Sequence, residues 1–212
     1  MKLTLFIVTI LFFLINSFSL SDLNKKSDYL VWPESSIYLT AGHRMQIADL
    51  LWIRSLQDFD YCSQKINSNE CVGQSWLFKI LNLATMMDPF LEPVMYQSAG
   101  LALTILISDY AGASIILDKA VRIYPRNWQI NYLAGYHALY EEKNKKKAAQ
   151  LYEAAADHGA PSWVKYMSGR LAADAGETEY AEQILSEMIS INKNPEYAEM
   201  LRKKIEQHKK KN

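Results

Sequence analysis

From Gly42 onward, apolar residues return at the three-to-four-residue period of amphipathic helices, in stretches separated by short polar breaks. The first stretch, within Gly42–Tyr61, carries Met45, Ile47, Ala48, Leu51, Trp52 and Leu56 at helical spacing. Gln74–Met87 follows with a wide apolar face and is stopped by Asp88-Pro89. Three paired stretches come next: Glu92–Ile107 with Tyr110–Ile123, Asn127–Glu142 with Lys145–Asp157, and Ser162–Ala175 with Thr178–Ile191. Pro195 to about Lys209 is apolar on one side and charged on the other, the pattern of a terminal cap with one neighbour.

The pairs repeat. Gly100, Gly135 and Gly169 are followed by Ala113, Ala148 and Ala181, so the unit recurs every 33 to 35 residues. A period near 34 with two helices per unit is a solenoid signature. Connections of a few residues, such as Ala175-Gly-Glu-Thr178, make the paired helices antiparallel. A glycine inside a helix costs about 1 kcal/mol of propensity, so its recurrence points to close crossing of the two helices.

These residues resemble the tetratricopeptide repeat family. The signs are a small residue in the first helix (Gly100, Gly135, Gly169), an alanine opening the second (Ala113, Ala148, Ala181), a large apolar residue four later, and a closing proline (Pro89, Pro125, Pro161, Pro195). The resemblance implies an all-α fold, a right-handed superhelix of antiparallel helix pairs, whose first helices line a concave groove for peptide or helix segments of other proteins. By position it places Gln129, Tyr132, Tyr136, Tyr140, Trp163, Tyr166 and Arg170 in that groove, with Gln97, Leu101, Thr104 and Asp174 beside them. Tyr132, Tyr136 and Tyr140 share a helix face by spacing alone, opposite Ile130, Leu133, Ala134 and Ala138. A tyrosine stripe is by default core. A helix that already has an apolar face makes a binding stripe an equal reading, and for Trp163 a staple at the helix start is the rival role.

The ends modify this picture. Lys2, an apolar run from Leu3 to Ile15 and small residues near Ser17 and Ser19 read as a secretory signal peptide over 1–19, with an uncleaved anchor as the alternative. Residues 20–41 read as a leader, 42–91 as a degenerate helix pair, 92–194 as three repeats and 195–212 as the cap with its basic tail. In an exported chain, Cys62 and Cys71, flanking a short polar loop, are most simply a disulfide. Asp49 and Arg54 read as a surface pair on the first helix.

Charge adds little. Lys+Arg and Asp+Glu both number 23, so no global field points to nucleic acid or a membrane surface. Six Lys/Arg against Glu206 after Met200 read first as a solvated helix end. His43, His137, His158 and His208 stand in unrelated settings, and no phosphate loop, nucleophile elbow or His-Glu-x-x-His motif occurs. The expectation is a non-catalytic scaffold or adaptor in the periplasm or cell envelope of a bacterium, with protein partners, no cofactor, no metal and no small-molecule substrate. Membrane contact would come through the N-terminal segment if it is retained. The alternative is a structural subunit of a membrane-associated assembly, docked through its N-terminal region and convex face.

Overall fold

The computed structural model describes residues 32–57, 75–191 and 194–210. Contacts divide the chain into two units, Met1–Trp32 and Pro33–Asn212. The expected signal segment and the Cys62–Cys71 disulfide lie outside the described residues.

A 3-10 helix, Glu34–Leu39, precedes nine α-helices among the described residues: α1 Arg44–Ser55, α2 Trp76–Met87, α3 Pro93–Leu101, α4 Tyr110–Ile123, α5 Trp128–Tyr140, α6 Lys145–Asp157, α7 Trp163–Asp174, α8 Thr178–Ile191 and α9 Pro195–Lys209. The described residues are all-helical, and consecutive helices pack on one another: α1 on α2, then α3 through α9 in chain order. α9 covers both α7 and α8. No described helix is long and apolar enough to cross a membrane.

Helix starts are written locally. Ser75, Asp109, Asn127 and Asn144 cap α2, α4, α5 and α6 by accepting the N–H of the residue three further on. Pro93 and Pro195 open α3 and α9, where a missing N–H costs nothing. Gly159 and Gly176 end α6 and α7 at φ +101° and +82°, a backbone region that side chains rarely adopt. In α1, Arg54 lies 5.1 Å over the ring of Trp76, which gives the guanidinium a role other than the expected pair with Asp49.

The repeated glycines seat large side chains, not alanines. A Cβ at Gly100 would lie 2.6 Å from Cδ2 of Leu117, and one at Gly135 would lie 3.2 Å from the ring of Tyr152. Leu117 and Tyr152 are the large residues four after Ala113 and Ala148, and all four are buried. The third unit departs from the pattern. A Cβ at Gly169 would meet Leu201 of α9 at 2.5 Å and Ile184 at 3.2 Å, while Leu185 is only partly buried. Packing of α9 against α7 supplies the knob that the second helix supplies elsewhere.

The basic C-terminus is also tied in. Lys204 Nζ and His208 Nε2 each lie 2.8 Å from Asp174 Oδ1, and Lys209 pairs with Glu182. Burial pushes the Asp174 carboxyl up, but the hydrogen bonds from Lys204 and His208 outweigh it and hold it below the usual carboxylate range.

Candidate functional site

α3 does not finish as an α-helix. Its last turn, Ala102–Leu106, widens into a π-helix, a form that concentrates at functional positions. The widened turn faces α4 and α5 across a cavity of about 200 Å³ lined by Leu101 at the end of α3, Thr104 and Ile105 of this turn, Tyr110 and Leu117 of α4, and Leu133, Tyr136, His137 and Glu141. Leu101 is 41% exposed and Ile105 69%, so the mouth of the cavity is an uncovered apolar rim.

His137 forms the polar floor and is buried. Its Nε2 lies 3.1 Å from the Tyr110 carbonyl and 2.9 Å from Ser114 Oγ, and its Nδ1 lies 3.3 Å from Thr104 Oγ1. A carbonyl only accepts, which assigns a proton to Nε2, while the Thr104 hydroxyl beside Nδ1 donates to the Gly100 carbonyl at 2.8 Å. Burial lowers the His137 pKa below the ordinary imidazole value, against the opposing pull of the Tyr110 carbonyl and of Glu142 and Glu141. The unfolded chain then takes up a proton near pH ~6.5 that the folded chain refuses. Stability present above that pH should therefore fall as the pH drops through it toward the folded-state value. Urea unfolding at pH 8 and pH 5 checks this: the loss should shrink in His137→Gln, and an equal loss in both proteins would remove His137 as its source.

The tyrosine stripe divides. Four residues advance a helix by about 40° beyond a full turn, so Tyr132 rotates inward while its neighbours rotate out. Tyr132 is half-buried, its ring 5.4 Å from Tyr152 and 5.8 Å, edge-on, from Trp163. Tyr136 and Tyr140 are each 45% exposed with ring centroids 4.5 Å apart. Trp163 opens α7 at 39% exposure against Tyr132, a contact to α5 rather than within its own helix. Tyr166 stacks on Tyr197 of α9 at 5.9 Å, and Gln129 is exposed at the start of α5.

Arg170 is half-buried, and its Nε is enclosed without a hydrogen-bond partner. The chain matches no family model, no curated protein and no solved structure.

Of the sequence candidates, Leu101, Thr104 and Tyr136 meet at the cavity, whereas Tyr132 and Tyr166 serve contacts between helices. Ile105, His137 and Glu141 were not signalled by the sequence. The run Leu101-Ala-Leu-Thr-Ile-Leu-Ile107 is too evenly apolar to reveal a change of helical period, and His137 gains its partners only through packing. Among the described residues, no group of three His, Cys, Asp or Glu is placed to hold a metal ion. An apolar rim with exposed tyrosines suits the capture of another protein's side chains.

Proposed function

We propose that this chain is a non-catalytic scaffold, a tetratricopeptide-like solenoid of helix pairs that holds a segment of a partner protein against α3, α5 and α7. The carrying observation is the cavity beside the widened turn, with Leu101 and Ile105 on one lip and Tyr136, whose exposed ring pairs with that of Tyr140, on the other. At about 200 Å³ it is smaller than the ~300–1,000 Å³ usual for small-molecule sites, and it matches a single large side chain. The apolar N-terminal run of the sequence supports a place in a bacterial cell envelope, either periplasmic or held at the inner membrane.

A second reading has its own support. α1 leaves Met45, Leu50 and Ile53 exposed, with Leu56 just past its end, an apolar face that would suit permanent docking of the N-terminal region in a membrane-associated assembly.

Photo-crosslinking in the native cells separates the two. A crosslinking residue at Tyr136 should trap a discrete partner, and one at exposed Gln150 on α6 should not. Trapping at Leu50 but not at Tyr136 would favour the assembly subunit. The double variant Tyr136→Ala/Tyr140→Ala should cut the trapped yield about tenfold, as removal of paired aromatic anchors does. Its melting temperature should stay within about 3 °C, since both rings are half exposed. Unfolding of the double variant would make the pair core instead.

A further inference from the structure

Among the described residues, the half-buried cations are otherwise satisfied. Lys147 lies 2.9 Å from both Asp118 and Glu142, and Lys165 meets Asp157 at 2.8 Å and Glu187 at 2.9 Å. Lys204 holds Asp174, and Lys119 donates to Asn82 and Thr85. Arg170 is the exception: it makes no ion pair or hydrogen bond, and its Nε is shut off from water. Its natural partner would be Asp174, four residues on along the same helix. That carboxylate is already taken by Lys204 and His208 of α9, so the fold itself withholds the acid from Arg170.

Register gives this cation the repeat position that two residues of the candidate site occupy. Leu101, Tyr136 and Arg170 each follow one of the repeated glycines, and the first two meet across the cavity. The Tyr132–Trp163 contact shows that α7 continues beside α5. A partly desolvated guanidinium without a partner is costly, and its planar fork matches a carboxylate in two parallel hydrogen bonds. Nucleic acid is the poorer fit: a phosphate chain requires a row of cations, and Glu141 stands at the cavity.

We propose that Arg170 receives the side-chain carboxylate of an Asp or Glu in the bound segment, so that the partner is an acidic stretch of protein. This rests on the groove reading and names its chemistry.

The test selects short randomised peptides, with amidated C-termini, against the full-length protein. Only side-chain carboxylates can then answer. The wild type should enrich Asp or Glu at one position, and Arg170→Gln should lose that enrichment and bind the selected peptide at least about tenfold more weakly. Arg170→Glu should move the preference to Lys or Arg. The melting temperature of Arg170→Gln should stay within about 3 °C of wild type, because no bond within the chain is lost.

Peptides selected without an acidic preference, or with one that survives Arg170→Gln, would overturn the inference and leave the groove standing. Selection of no peptide would overturn both. A large fall in the melting temperature of Arg170→Gln would make the arginine structural and end the proposal.

Discussion

Asp109→Ala should lower the stability of the fold by about 3 kcal/mol, although the residue lies in a connection between helices. Asp109 is fully buried and serves two helix starts at once. Its Oδ1 accepts the Gly112 N–H at 3.0 Å and so caps α4. Its Oδ2 accepts the Ser75 N–H at 3.3 Å and the Ser75 hydroxyl, while the Ser75 Oγ caps α2 by accepting the Phe78 N–H at 3.0 Å. Two positive helix ends therefore compensate one buried carboxylate. Gly112 lets the group approach, since a Cβ there would lie 2.8 Å from the Phe78 ring and 2.9 Å from Asp109 Oδ2.

Alanine would lose a cap, worth about 1 kcal/mol, and leave buried donors unmet at about 1–3 kcal/mol each before relaxation. Asparagine keeps one oxygen and turns its amide toward donors, so Asp109→Asn should fall between wild type and alanine. Urea denaturation of the three proteins gives the order directly. An alanine variant within about 0.5 kcal/mol of wild type would mean that the carboxylate is a bystander.

Much of the helical order was legible because small residues and caps act locally. The expected ranges of α4, α6, α8 and α9 coincide with the observed helices, and α5 and α7 differ only by fraying at their ends. What the spacing missed depends on contacts far apart in the chain. Leu201 lies well beyond the third unit, yet it fills the seat at Gly169 that the repeat assigns to Leu185. Periodicity could not show this, because α9 reaches α7 only after the chain has passed α8. The site was legible in the same uneven way. A four-residue spacing places three tyrosines on one side of α5, but only the drift of the helix decides that Tyr132 packs inward and Tyr136 faces out. Arg170 was a candidate by position; that it stands unpaired follows from α9 taking Asp174.

The same packing gives Tyr152 two separable parts, and substitution should pull them apart. Its ring is fully buried against Gly135 and Tyr132, in the apolar cluster that joins α5 to α9. Its hydroxyl is buried too, and it has no hydrogen-bond partner. Burial, reinforced by the neighbouring Tyr132, Tyr140 and Tyr136, raises the phenol pKa further, as expected for a group that gains nothing from ionising there. Tyr152→Ala should therefore cost about 4 kcal/mol, the usual penalty for emptying an aromatic site opposite a glycine that cannot fill it. Tyr152→Phe keeps the ring and removes a polar group held without compensation, so it should match wild type or exceed it by about 1 kcal/mol. Thermal and urea unfolding of both variants measure the contrast. A phenylalanine variant as weak as alanine would show that the hydroxyl, not the ring, holds the two helices together.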